Sequence, residues 1–280
     1  MTVNNISMAS SILRTLKELG NSQNTSMQRL ASGTRLNSAA DDPAGLAILS
    51  KMHAQIRGMD AAARNAQDGI SLIQTAEGGL KNINDILIRA RELTVQAATD
   101  TLGSEERAVI GNQIKQLFEE IDGIAGRTDF NGKKLLNGNY AGNKIFLQVG
   151  ANAGQSIQFN IAGVSVSALG LDSVKSVLGN FGSMTGAEIS DLITMFDDAQ
   201  KLVSEEQSKL GALNNRLGFT IRNLDNQSVN LSAAASRIGD TDMAKEMMNL
   251  TRINVLTQVS IAMLAQYQQQ SENILWLVKR

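Results

Sequence analysis

Cysteine is absent from the 280 residues, and proline and histidine occur once each. The missing thiols exclude disulfides, thiolate metal sites and cysteine nucleophiles together. A single histidine, His53, excludes a His-x-x-x-His zinc motif and any two-histidine site. One proline, against about 5% in an average chain, leaves long helices uninterrupted. Excess charge is lacking too. With 26 basic and 27 acidic residues the formal net charge is -1, and no basic stripe invites nucleic acid. An apolar fraction of 42% is that of a folded protein rather than a disordered tail.

Charge also vanishes locally. Met1 to Leu13 carries none, and Ile253 to Ser271 is a run of 19 residues without any. The C-terminal run is too polar to span a bilayer, because Asn254, Gln258, Gln266, Gln268, Gln269 and Gln270 would each need a partner in hydrocarbon. Its neutral amide face suits packing beside many copies of itself. The N-terminal stretch lacks the basic start and continuous apolar core of a secretory signal, so export would follow another route.

Stepping alternately by three and four from Ile189 to Ile238 visits fifteen positions, twelve of them apolar, with Glu206, Thr220 and Gln227 as exceptions. That is a sustained heptad, which buries one stripe against another helix. A second long helix should open at Asp42, an N-cap, with Pro43 at the first helical position. Its stripe runs through Leu49, Met52, Ile56, Met59, Ile70, Ile73 and Leu80, slips at Gly78-Gly79, and resumes at Ile83, Leu87 and Ala90 toward Ala97. Gly58 and Gly69 inside it should permit close packing or bending. A third helix is expected from about Ser104, a capped start, to Ile124, with Ile110, Ile114, Leu117, Phe118 and Ile121 inward.

Residues 130 to 183 are rich in glycine. Alternation at Ile145, Leu147 and Val149 and again at Ile157, Phe159 and Ile161, around Gly150 to Gly154, predicts a hairpin. The remaining helices are terminal. One has Ile6, Ala9, Leu13, Leu16, Met27 and Leu30 on one side, and the other runs from Asp240 or Asp242 through Leu256, Val259, Met263 and Leu264 toward Leu277. Neither has a neighbour in its own half of the chain, so they must pair with each other or with other molecules. The fold class is mainly α: a long antiparallel coiled-coil bundle with a small β-hairpin region.

No catalytic constellation emerges. The pairs Asp41-Asp42, Glu119-Glu120 and Asp197-Asp198 are adjacent residues, which do not share a helix face. Asp129-Phe130-Asn131-Gly132 starts like a calcium loop but lacks its closing glutamate. Gly150 to Gly154 lacks the lysine and helix of a phosphate loop. His53 should face solvent. The polar residues Arg35, Asn37, Asp41, Asp42, Arg237, Asp240 and Asp242 flank the terminal helices, where they either cap helix ends or fix the angle between segments.

Five segments in order resemble bacterial flagellins: Ser32 to Ile48 (SGTRLNSAADDPAGLAI), Ile88 to Gln96 (IRARELTVQ), Phe130 to Leu136 (FNGKKLL), Asn215-Arg216-Leu217 and Ser236 to Ala244 (SRIGDTDMA). The resemblance implies a core helix and spoke over residues 1–40, a helical rod over 41–240 with its hairpin at about 140–162, and a C-terminal core helix over 241–280. It implies a non-enzymatic, cofactor-free subunit that polymerises into the flagellar filament for motility, exported unfolded and assembled at the tip. Implied partners are copies of itself, an export chaperone at the C-terminal helix, and the filament cap and hook–filament junction proteins; nucleic acid and membrane are not among them. Terminal core packing would fall to Ile6, Leu13, Leu16, Leu30, Leu256, Val259, Met263 and Leu264. The family's contacts with Toll-like receptor 5 map to Arg89, Leu93 and Gln113, the last replacing a glutamate. A signalling or scaffolding coiled coil would explain the helices but not the five segments. The large outer domains of many flagellins are missing, since about twenty residues separate the hairpin from the last rod helix.

Overall fold

The computed structural model describes residues 2–278, and their side chains from 8 to 270. The chain forms two compact units, Met1–Ala54 with Val229–Arg280, and Gln55–Ser228. Helix α1 covers Thr2–Ser32, α2 Pro43–Ala97 and α3 Ser104–Arg127. Short strands β1 (Asp129–Phe130) and β2 (Lys133–Lys134), a helical turn α4 (Asn139–Gly142), and strands β3 (Ile145–Gln148) and β4 (Ser156–Phe159) follow. Helix α5 (Asp172–Val177) and a 3-10 turn (Leu178–Ser183) lead into α6 (Gly186–Gly239) and α7 (Met243–Val278).

In Gln55–Ser228 one apolar cluster draws on α2 (Ile73, Leu80, Ile83, Leu87), α3 (Ile114, Phe118, Ile121) and α6 (Ile189, Phe196, Val203, Leu210, Leu217). These are the heptad positions read from the sequence. Glu206 occupies a seam position and is buried, because the backbone N–H of Ala162 and the Lys209 ammonium donate to its two oxygens at 3.0 and 3.2 Å. A carboxylate is tolerated in such a place only when paired and hydrogen-bonded. Helix α2 passes through Gly78-Gly79 unbroken, and a Cβ on Gly79 would stand 2.7 Å from Leu136 Cδ1.

The hairpin forms where alternation placed it, with β3 and β4 antiparallel and Ile145 opposite Phe159. It lies against α2. A Cβ on Gly58 would meet the Ala151 methyl at 2.8 Å, one on Gly69 would meet Leu147, and Asn65 Nδ2 donates to the Gln148 carbonyl at 3.3 Å. Both helix glycines therefore serve close approach, which offsets their helix cost of about 1 kcal/mol each.

One expectation needs correction, and two features were not foreseen. Helix α3 begins at Ser104, but Gly103 is the N-cap residue and no side chain caps it. The glycine-rich stretch after the hairpin adds to the core: Val164, Val166, Leu169, Leu171, Val174, Leu178 and Phe181 are buried in the main cluster, and Phe181 packs where a Cβ on Gly111 would otherwise stand, 2.8 Å away. A second hairpin was also unforeseen. β1 pairs with β2 around Asn131 (φ 52) and Gly132 (φ 74), a two-residue turn with both φ positive.

Candidate functional site: the paired terminal helices

Helices α1 and α7 run antiparallel. The less exposed positions of α1 include Ala9, Ile12, Leu16, Leu19, Gln23, Ser26 and Leu30, and those of α7 include Glu246, Leu250, Ile253, Thr257, Ser260, Leu264 and Tyr267. Both rows step by three and four, the geometry of a coiled-coil seam. It is polar where α1 nears its end and α7 begins. The Ser26 hydroxyl, buried, donates to Glu246 Oε1 at 2.6 Å, and Gln23 Nε2 donates to Asn254 Oδ1 at 3.0 Å. Polar pairs inside an apolar seam match only in one register, so they hold the two helices against sliding. Sequence reading took Asn254 for part of an amide face turned to other copies, and missed Gln23, Ser26 and Glu246 because it counted only apolar positions. The signal was there: Gln23 and Ser26 continue the step from Leu16 and Leu19.

The residues expected to pack the terminal core divide into two sets. Leu16, Leu30 and Leu264 are half-buried in the seam. Leu13, Leu256, Val259 and Met263 point away from it and are 45–56% exposed. Ile6 lies outside the described side chains. Met8, Met27, Met243, Met247, Met248, Val255 and Ile261 enlarge the exposed apolar surface. Singly exposed apolar side chains are ordinary, but so dense a set on one helix pair is not. Among the described residues no helix is long and apolar enough to cross a membrane.

The connections between helices are bonded backbone to backbone. Thr34 and Asp240 form an antiparallel bridge: Arg35 N–H donates to the Gly239 carbonyl at 2.6 Å, and Thr241 N–H to the Gly33 carbonyl at 3.0 Å. Gly33 turns the chain out of α1 at φ +70, a conformation that favours glycine. The Arg35 guanidinium reaches the Ile238 carbonyl at 2.7 Å, near the C-terminal end of α6, where cations are favoured. Asp42 Oδ1 accepts from the N–H groups of Ala44 and Gly45, both at 3.0 Å, and Asp242 Oδ1 from those of Ala244 and Lys245 at 3.1 and 3.2 Å. Each aspartate thus caps its helix. Asn37 donates to the Gln28 carbonyl at 3.3 Å and accepts from the Thr34 hydroxyl. Arg237 and the Asp240 carboxylate make no hydrogen bond or ion pair with the described residues, so the structure does not draw them into this network.

Asp41 gathers the turn. Its Oδ2 accepts the backbone N–H groups of Ser38 and Asn37, both at 3.1 Å, and Arg29 lies 3.9 Å from its other oxygen. The bonds from Ser38 and Asn37, helped by the Arg29 charge, hold its carboxyl below the ordinary 3.8. A depressed acid contributes stability that is present above its unfolded value and lost as pH falls through the folded one. The connection is therefore expected to be indifferent to pH from neutrality to about pH 4 and to loosen below it. Asp41→Asn should remove that acid dependence. Amide exchange at Asn37 and Ser38 across pH 3–6 checks this, and an unchanged acid profile in the variant would refute it.

The residues suggested for receptor contact lie in Gln55–Ser228. Arg89 is exposed and pairs with Glu92 at 2.8 Å, and Gln113 is exposed. Leu93 is a correction: it is 5% exposed and belongs to the apolar cluster, so it has little side-chain surface to offer another protein. Helical stepping from Leu87 and Ala90 carries the inward stripe onto Leu93. His53 is exposed, as expected.

Two family descriptions match the chain, the bacterial flagellin N-terminal helical region over residues 3–141 and the C-terminal helical region over 193–278. The chain belongs to the bacterial flagellin family. A flagellin of Halalkalibacterium halodurans is 48% identical over 253 residues, 90% of either chain, and one of Bacillus subtilis is 43% identical over 306 residues, the whole of both. A solved structure assigned as a flagellar hook-associated protein of Vibrio parahaemolyticus superposes with a TM-score of 0.61 over 71% of this chain and all of that one. At 15% identity it shares the fold alone. Flagellins are structural proteins, not enzymes; this flagellin is a subunit that homopolymerises into the extracellular filament of the flagellum.

Proposed function

We propose that the α1–α7 pair is the part of this flagellin through which subunits join, with residues 1–40 and 241–280 as the filament core and 41–240 as the rod. The carrying observation is the apolar surface that Leu13, Leu256, Val259 and Met263 leave uncovered beside a seam already closed by Leu16 and Leu264. Leu16, Leu30 and Leu264 are covered within the chain, and Leu13, Leu256, Val259 and Met263 are left for neighbours. Segments that gain so much burial on association suit export as unfolded chain, with an export chaperone covering the C-terminal helix, and ordering at the filament tip beneath its cap. The hook–filament junction would be met through the same surface. The network around Asp41, Arg35 and Asp242 fixes how the terminal helices leave their connections.

Recognition by Toll-like receptor 5 would rest on Arg89 and Gln113, both exposed, without Leu93. Gln113 accepts only a neutral hydrogen bond, weaker than a carboxylate would form.

Electron microscopy at rising concentration, of the intact chain beside a version lacking residues 1–35 and 243–280, tests the assembly reading. Filaments from the intact chain alone are expected. Discrete oligomers from both would overturn it in favour of a scaffolding coiled coil. The receptor reading predicts that Gln113→Glu raises signalling in receptor-bearing reporter cells, and an unchanged response would remove it.

A further inference from the structure

All sulfur in this chain is thioether: there are eleven methionines and no cysteine. Among the described residues six methionines are exposed, Met8, Met27, Met243, Met247, Met248 and Met263, and all six stand on α1 or α7. The other described methionines, Met52, Met59, Met184 and Met195, are buried or half-buried. Among the described residues exposed thioethers are thus confined to the two helices read as the joining surface. They are densest at the start of α7, where Met243 and Met247 share one face four residues apart and Met248, 67% exposed, lies beside them. The seam register brings Met27 to the same level, since Met27 and Met247 each follow a member of the Ser26–Glu246 bonded pair.

We propose that Met243, Met247 and Met248 form an oxidation site on the free subunit, whose conversion to sulfoxide by hydrogen peroxide blocks filament assembly. The inference rests on the assembly reading above. In the reaction a sulfur lone pair attacks one peroxide oxygen, an S–O bond forms as the O–O bond breaks, and the departing hydroxide takes the proton of the transferred hydroxyl and leaves as water. Sulfur loses two electrons and the peroxide gains them. A flexible apolar side chain becomes polar and chiral, which spoils a surface that relies on apolar burial. Once neighbours cover the three residues, peroxide should no longer reach them, so the subunit is vulnerable before assembly and protected after it.

Intact free subunits are exposed to hydrogen peroxide, the peroxide is removed with catalase, and sulfoxide is mapped by peptide mass spectrometry beside sedimentation of polymer. Sulfoxide at Met243, Met247 and Met248 with loss of most sedimentable polymer is expected, and treatment with methionine sulfoxide reductases A and B should restore it. Preformed filaments should resist oxidation at these three positions. Full polymerisation of subunits carrying all three sulfoxides, or loss of polymer that the reductases do not reverse, overturns the inference. The triple variant Met243→Leu, Met247→Leu, Met248→Leu keeps volume and apolarity; if it polymerises but loses polymer to peroxide as the native chain does, the site lies elsewhere and the inference is wrong. If that variant does not polymerise, reductase rescue of the native chain decides. Failure of untreated native chain to polymerise at all would count instead against the assembly reading.

Discussion

Phe196→Ala is expected to lower the thermal midpoint of Gln55–Ser228 by roughly 8–15 °C, the equivalent of about 3–5 kcal/mol in a unit of this size. Phe196 and Phe118 are 0% and 1% exposed, their ring centroids are 5.9 Å apart, and their planes are tilted by 48°. Truncation removes the apolar transfer energy of one ring, opens a cavity among residues of α3 and α6, and loses the aromatic contact, worth about 1 kcal/mol beyond area. Phe196→Leu should lose roughly half as much, because the smaller void collapses more readily. Calorimetry of the intact chain measures both. A drop under about 4 °C for the alanine variant would mean that this pair is peripheral to the cooperative unit.

Some of this architecture was legible residue by residue. Asp42 before Pro43 marked the start of α2, and the two carboxylate contacts to Ala44 and Gly45 are the physical content of that mark. The three-four step marked α6 and the inward face of α2, and even Glu206, an apparent break in the stripe, keeps a buried seam position by finding two donors. What failed was pairing between segments distant in sequence. Ser26 and Glu246 are 220 residues apart, and no local pattern says that a serine on one helix will meet a glutamate on the other. The stretch from 163 to 183 read only as glycine-rich because its apolar residues follow no single period, yet Val164, Val166, Val174 and Phe181 are buried in the main cluster. Local signals were also overlooked. Asn131-Gly132 is a strong two-residue turn pair, and Thr185-Gly186-Ala187-Glu188 is a capping box in which Thr185 N–H donates to Glu188 Oε2 at 2.8 Å and Glu188 N–H to the Thr185 hydroxyl at 3.4 Å. Leu93 shows the opposite error, since the residue match to the family suggested a contact while the helical stripe already placed it inside.

Arg107→Ala is expected to destabilise the same unit by about 2–4 kcal/mol, although it removes a charged residue rather than core hydrocarbon. Its side chain is only 10% exposed, and its guanidinium joins three segments. Nη1 donates to the Met184 carbonyl at 2.9 Å, just before α6, while Nη2 donates to the Thr99 carbonyl at 2.8 Å and to Asp100 Oδ1 at 3.0 Å, just after α2. The backbone is tight there, since a Cβ on Gly186 would stand 2.6 Å from the Ala98 carbonyl oxygen. Removing the fork leaves two carbonyls without their donor at the place where α2 ends, α3 begins and α6 begins. Asp100 is 90% exposed and its ion pair should contribute little, so Asp100→Asn is expected to stay within about 0.5 kcal/mol of the native chain. Lysine carries the charge but not the planar fork, and Arg107→Lys should recover less than half of the loss. Chemical denaturation of the three variants, with amide exchange read at the C-terminal turn of α2, separates the possibilities. Equal losses for Arg107→Ala and Asp100→Asn would assign the effect to the ion pair; a large loss for the first alone assigns it to the carbonyl clamp.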